Sequence, residues 1–416
     1  MIKIVSPTEP LVKFLMVMNL KLSKPQSEHL RRTMEGLIAC ESSKTLSMIS
    51  RLFWEAPDPC NLADFFRLSP WQEELLRKNT QQQLLFWAIQ YNLQHGKEPE
   101  VLVSIDDSIA CKPKTSKHFE AVDWHFDATK GKTYAHGTTF ITFHIKVGDI
   151  SFPFNWKLYL REKTVRRINK NRTKKRKIRF HSKMALAKMM LEELSHMLPE
   201  GTRVYVLFDS WYASKHLLRF ILKKNWHVIC ALKSNRVFKG KSLSRHARYI
   251  RNKSLETIFV GSADSTTKYW IRVKKGRIKG LREENLVIFS KRHPRDKRPA
   301  YFLSTDTELS GRQVLEYYTN RWEVEVDHLY LKTRLGLADF RVRSYEATSK
   351  YFSAVFLTLC YLYWRIFKEQ GHKLKTISDA IALHRKEQWQ ATLEKFGEKV
   401  LKKRAVEPVI QQFLTT

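Results

Sequence analysis

The stretch Val101-Leu-Val-Ser-Ile105, closed by Asp106-Asp107-Ser108, opens the part of the chain from which the fold is read. Upstream of it, apolar residues recur at helical spacing, as in Leu30, Met34, Leu37 and Ile38 and again in Leu46, Ile49 and Leu52. From residue 101 the period changes to that of strands: Val101 to Ile105, Thr138 to Val147 and Ile150 to Tyr159, with Val147-Gly148-Asp149-Ile150 as a hairpin turn. A helix is predicted from Ser182 to about Met197, a strand from Arg203 to Phe208, a helix from about Ser214 to Lys224 and a strand from His227 to Leu232. Three strands, then strand and helix in alternation, describe an α/β protein with a mixed sheet and helices against it.

Residues 1–95 read as a helical segment with a Pro-rich break at Ala56-Pro57-Asp58-Pro59. Ser69-Pro70-Trp71-Gln72-Glu73 reads as an N-cap, a Pro at the first helical position and an acidic first turn, with the helix running to about Leu93. Short helices bearing Arg31, Arg32, Lys44 and Arg51 suit either a DNA-binding module or a plain helical bundle. Residues 235–305 hold short alternating runs (Lys268 to Lys274, Asn285 to Phe289, Tyr301 to Ser304) and read as a mainly β insertion. A long helix follows Ser310-Gly311 and continues past Lys332, and an apolar helix covers Ser349 to Phe367. The resulting division is 1–95, 96–234, 235–305, 306–370, and a basic helical tail, 371–416.

The chain has 416 residues and a formal charge of +34, so its surface needs a polyanion nearby to offset self-repulsion, and nucleic acid leads. Five scattered cysteines without zinc spacing read as free thiols in a reducing compartment. Leu11 to Leu20 is interrupted by Lys13 and Asn19 and does not read as a signal peptide, and Ala354 to Trp364 is too short to cross a bilayer. A cytoplasmic protein with no membrane partner is the expectation. Arg166, Arg167, Lys170, Arg172, Lys174, Lys175, Arg176, Lys177 and Arg179 form a dense basic run with no acid inside it. It is expected as an exposed loop or arm, in contact with phosphates or simply solvated.

Two predicted strands end in acids, Asp106-Asp107 on the first and Asp209 on the fourth. Carboxylates at neighbouring strand ends converge at a sheet edge, as divalent metals require, although each alone is as readily a turn or cap residue. Tyr318, Arg321, Glu325, His328 and Lys332 are spaced by three, four, three and four, one stripe of a helix whose other side carries Val324, Leu329 and Leu331. A salt-bridged surface helix, with Arg321 and Glu325 paired, explains the stripe equally well.

Tyr318-x2-Arg321-x3-Glu325-x6-Lys332 resembles the Y-R-E-K signature of bacterial insertion-sequence DDE transposases that move by cut-and-paste through DNA hairpins. Phe208-Asp209-Ser210-Trp211-Tyr212-Ala213-Ser214 and Ile105-Asp106-Asp107-Ser108 resemble the second- and first-Asp motifs of that family, and the resemblance covers about residues 100–345. It implies an RNase H-like catalytic core with a β-rich insertion. In it Asp106, Asp209 and Glu325 are the catalytic residues and hold two Mg²⁺ ions, with Mn²⁺ as the substitute ion, for phosphoryl transfer. It implies contact of Tyr318, Arg321 and Lys332 with DNA phosphates, and stacking of a flipped base on an aromatic of the insertion, for which Tyr301 and Trp270 are the candidates. Asp106 is preferred to Asp107 as the first acid, since the family often writes this site D-x-T/S. The implied partners are double-stranded DNA, as terminal inverted repeats and target, and a second copy of the chain in a synaptic homodimer at the bacterial nucleoid. A nuclease or resolvase that cuts without joining, and a catalytically idle DNA-binding descendant, are the competing readings.

Overall fold

Before the first strand the chain forms α1 (Glu9–Met18), α2 (Lys24–Ala39), α3 (Leu46–Arg51), α4 (Pro59–Arg67) and α5 (Glu73–Gln94) in a computed structural model that describes residues 3–55, 58–116, 118–127, 131, 133–262, 265–368 and 374–403. Ser23, Thr45 and Asp58 cap α2, α3 and α4 by accepting backbone N–H groups. The expected cap at Ser69 is corrected: α5 opens at Glu73, because Trp71 turns inward, donates its indole N–H to the Phe65 carbonyl at 2.8 Å and stacks on the Phe65 ring. Of the four cations that suited either a DNA-binding module or a plain bundle, Arg51 is exposed and the other three are engaged. Arg31 and Arg32 share Glu28, and Lys44 is buried with its ammonium on the Cys40 carbonyl.

The sheet is built from β1 (Glu100–Cys111), β2 (Asp123–Asp127), β3 (Thr133–Val147) and β4 (Ile150–Tyr159), then, after α6 (Glu162–Asn169) and α7 (Lys183–Ser195), from β5 (Arg203–Phe208), α8 (Lys215–Leu222) and β6 (His227–Ala231). The order β4-β3-β1-β5-β6, with β3 antiparallel to β1 and with β1, β5 and β6 parallel, is RNase H-like. The predicted turn between β3 and β4 is present, with Gly148 at φ 58°, where any side chain would run into Asn92.

The segment after β6 contains β7 (Val237–Phe238), β8 (Lys241–Ser242), α9 (Leu243–Arg248), β9 (Glu256–Ser262), β10 (Ser265–Gly276), β11 (Asn285–Lys291) and β12 (Ala300–Ser304). The last four are not a separate body. β12 pairs antiparallel with β6, so β12-β11-β10-β9 extend the core sheet to ten strands among the described residues. α10 (Gly311–Thr319), α11 (Trp322–Thr333), α12 (Tyr345–Lys368) and α13 (Ile377–Lys403) follow among the described residues.

Three differences from the sequence reading bear on function. β1 does not close at Asp107 but runs to Cys111, because β3 continues to pair with it beyond the point where β5 stops. β2, which pairs with the outer end of β3, is an unpredicted strand. The predicted long helix is two helices, because Asn320 turns its side-chain amide onto the carbonyls of Glu316 and Tyr317, and Asn320 and Arg321 bond back three residues rather than four.

In the described part of the tail, α13 packs on α2 through a buried polar cluster. Glu35 of α2, fully buried, accepts from the Thr8 backbone at 2.8 Å, from Gln388, and is bonded to His384 of α13 at 2.9 Å. Burial opposes ionisation there, but His384, Thr8 and Gln388 together hold the carboxyl below its ordinary value of 4.5. A carboxylate with a depressed folded pKa adds stability that is complete above its unfolded value and is lost as pH falls through the folded one. Glu35→Gln is expected to lower stability at pH 7 by about 2 kcal/mol. In urea titrations the deficit should shrink on acidification below about pH 4.5; a deficit that is flat with pH would contradict the charged role of Glu35.

Candidate active site

Alternation along β1 sorts its two acids onto opposite faces of the sheet. Asp106 shares its face with Ser104, whose hydroxyl donates to the Asn320 carbonyl at 3.2 Å, and with Ser108, which accepts from the Lys332 ammonium at 2.6 Å. α11 covers this face. Asp107 points to the other side, where its carboxylate accepts from Lys183 of α7 at 2.5 Å and from the Tyr212 hydroxyl at 2.8 Å. The parallel ladder between β1 and β5 ends at the pairs Ser104 with Leu207 and Ile105 with Phe208, so Asp106 and Asp209 are the next residues on two adjacent strands. One Asp209 oxygen accepts the backbone N–H of Trp211 at 2.9 Å and of Tyr212 at 3.3 Å, which fixes the turn toward α8.

Arg321 joins this edge to the helix that carries Glu325. Its guanidinium lies 3.5 Å from Asp106 and 2.6 Å from Glu325, with the Tyr318 ring beside it at 5.5 Å. Burial pushes the Asp106 carboxyl up to about 7; Asp107 and Asp209 add to the rise, against the Asp107 amide and Arg321. Burial is thus the main reason that the charged form of Asp106 is disfavoured, and Arg321 offsets only part of the rise. Among the described residues no three acids, cysteines or histidines are close enough to hold a metal ion, and Arg321 stands between Asp106 and Glu325. The donor chemistry of Asp106, Asp209 and Glu325 nonetheless fits a hard divalent cation, being all oxygen and all carboxylate.

Residues 21–252 match the family model described as DDE superfamily endonuclease, and residues 181–361 match the one described as Transposase DDE domain. The chain belongs to the DDE superfamily of endonucleases. It is also similar to the probable transposase for insertion sequence element IS701 of Microchaete diplosiphon, 24% identical over 314 residues that cover 74% of this chain and 75% of that protein. The protein is thus an insertion-sequence DDE transposase, an enzyme that acts on DNA and depends on a divalent metal. No helix among the described residues is long and apolar enough to cross a membrane.

In the transposase, α11 is held against the sheet by groups that the sequence reading missed or misplaced. His328, expected on the polar stripe, is buried and bonded to the Thr142 hydroxyl at 2.7 Å, and burial pushes its pKa down to about 3. Leu329, expected to pack inward, is exposed, while Asp327 is fully buried and bonded to His144 of β3 at 2.7 Å. The stripe of Glu325, His328 and Lys332 is kept within α11 but faces the sheet rather than solvent, with His328 on Thr142 of β3 and Lys332 on Ser108 of β1, which leaves Leu329 on the outer side. Neither His144 nor Asp327 carries a local signal, since their partnership spans 183 residues.

The basic run is not a featureless arm. Its first part is α6, which buries Thr164, Val165 and Ile168, and the acids it lacks internally come from outside. Arg166 pairs with Glu162 at 2.6 Å, and Arg172 bridges Glu120 and Glu346 at 2.8 and 2.5 Å. Arg167 donates to the Glu120 carbonyl at 3.1 Å. Lys174, Lys175, Arg176 and Lys177 are exposed.

The two stacking candidates fare differently. Tyr301 is buried in β12, its ring edge-on to Phe289 at 5.6 Å. Trp270 is half-exposed beneath the Lys268 ammonium, but five strand spacings, about 24 Å, separate β10 from β1. Tyr318 leans on Phe302 at 4.7 Å and is partly buried; burial, against the opposing Arg321, takes its hydroxyl up to about 12.

Proposed function

We propose that the protein cuts the ends of a mobile element through DNA hairpins and joins them to new DNA, with Asp106, Asp209 and Glu325 as the catalytic carboxylates. The observation that carries this reading is the register of β1 on β5. It sets Asp106 and Asp209 side by side on the face that α11 covers, and Arg321 ties Asp106 to Glu325. These three acids would hold two Mg²⁺ ions, or Mn²⁺ in their place, which when bound supply stabilisation of the charge on the attacking and leaving oxygens.

The chain's own groups bind and orient the strand. Arg321 and Lys332 present cations near Asp106 and at Ser108, and the Arg321 guanidinium lies 5.5 Å from the centre of the Tyr318 ring. They are assigned to the phosphates flanking the cleaved bond, where a planar guanidinium and a mobile ammonium differ in reach. Arg166 and Arg167 on α6 and the exposed Lys174, Lys175, Arg176 and Lys177 are assigned to the DNA backbone farther out. Two copies of the chain would bring two element ends together.

Purified protein mixed with a duplex bearing the inverted repeat that flanks its own gene, in Mg²⁺, is expected to give hairpin and joined products resolved on denaturing gels. Glu325→Gln should give neither. Nicks without joining would reduce the activity to that of a nuclease, and equal products from Glu325→Gln would sink the assignment of that residue.

A further inference from the structure

β2 and the outer end of β3 form a two-stranded ribbon that runs past the end of β1, where Cys111 and Asp123 both pair with Gly137. One face of the ribbon is sealed: Asp123, His125 and Ala135 are buried. The other carries Trp124 opposite His136 and Phe126 opposite Tyr134, and these side chains remain in solvent, Trp124 at 38%, Phe126 at 55% and Tyr134 at 63%. The rings touch one another across the strands, Trp124 and His136 at 5.1 Å and Phe126 and Tyr134 at 6.0 Å. Such a cluster of exposed aromatics is not what a solvated hairpin needs, and a contiguous exposed apolar face marks a binding surface.

The register says which way this face looks. β3 pairs with β1 without interruption, so Tyr134, His136 and Thr142 share one side of the sheet, and Thr142 is the partner of Asp106. The ladder therefore lies on the same face as the candidate active site. Its near rung, Trp124 with His136, is six residues along β3 from Thr142, about 20 Å, roughly six stacked nucleotides.

The Lys114 ammonium stands 5.7 Å from the Trp124 ring and Arg161 donates to the Trp124 carbonyl at 2.7 Å, while Arg161 and Lys163 also approach Asp123 on the sealed face behind. α6, with Arg166 and Arg167, is fastened there by Thr164 on Asp123. Four side chains with π-faces, flanked by lysine and arginine, suit stacked bases between phosphates rather than the aliphatic core of a protein partner. Successive rungs are about 6.7 Å apart, twice the rise of a stacked base, so one base fits between them.

We infer that Trp124, His136, Phe126 and Tyr134 form a stacking platform for unpaired bases of the DNA strand opened next to the cleaved bond. The inference rests on the transposase reading for the source of such a strand, but binding can be measured without cleavage. Fluorescence anisotropy of the full chain in EDTA would compare an oligo(dT), an abasic oligonucleotide of the same length and a fully paired duplex. The combined W124A, F126A and Y134A variant is expected to lose on the order of 10- to 100-fold in oligo(dT) affinity. It should stay within about 3-fold of wild type on the abasic strand and on the duplex, whose binding is set by the phosphates. The aromatic-preserving W124F, F126Y and Y134F variant should keep oligo(dT) binding within about 3-fold.

An equal loss on oligo(dT) and abasic strand would overturn the platform, since it would show a fold or backbone effect. So would unchanged oligo(dT) binding with self-association lost in sedimentation, which would make the face an interface between copies. Metal-dependent nicking of plasmid by the wild-type chain is scored separately. If it is absent the catalytic reading fails while the stacking result stands on its own.

Discussion

Asp106→Asn is expected to lower metal-dependent DNA cleavage by at least about 10³-fold, whereas Asp107→Asn should cost less than about 10-fold. The two acids are adjacent and chemically identical, so the contrast tests geometry alone. Asp106 lies next to Asp209 on the face under α11 and within reach of Arg321. Asp107 is committed on the other face to Lys183 and Tyr212. Its loss should therefore appear in stability, about 1–2 kcal/mol in urea unfolding, because the amide keeps the Tyr212 hydrogen bond and loses the ion pair. Single-turnover cleavage of an end duplex and urea melts of both variants check this. The opposite ranking would place the first catalytic acid at 107 and reject the register argument.

Asp327→Ala is expected to destabilise the protein by about 3–5 kcal/mol, the usual cost of leaving a buried polar partner alone. Asp327 and His144 are both excluded from solvent, at 0% and 1% side-chain exposure, and their 2.7 Å bond fastens α11 to β3 two residues from Glu325. Loss of the anchor should also lower cleavage below what the unfolded fraction explains, since Glu325 depends on the seat of that helix. A double-mutant cycle with His144→Ala provides the check. Coupling below about 0.5 kcal/mol would mean that the two residues act independently.

Much of the architecture is legible locally. Arg203 to Phe208 reads as a strand and is one, and Ser182 and Ser214 announce α7 and α8 and cap them by accepting from Ala185 and Leu217. The hairpin turn at Gly148 follows from the same kind of evidence. Errors appear where a distant neighbour decides. β1 is longer than its apolar run because β3 pairs with the polar end as well, and β2 is missed because it is short and its alternation is inverted, with Asp123 and His125 inward and Trp124 and Phe126 in solvent. Asn320 breaks a helix that propensity would continue.

The candidate site divides along the same line. The amino-acid sequence by itself determined the family-like spacing of Tyr318, Arg321, Glu325 and Lys332 and the acids after two apolar strands, because such spacings are set within a few residues. Only the tertiary structure decided which acid of the pair faces α11. Val101, Leu102, Val103 and Ile105 are all buried, so both faces of β1 are apolar and its parity cannot be read from the chain. That parity is set by hydrogen bonds to β3 and β5, residues far away in sequence, and a shift of one residue would exchange the roles of Asp106 and Asp107. The same non-local register brought the aromatic ribbon onto the face of the carboxylates.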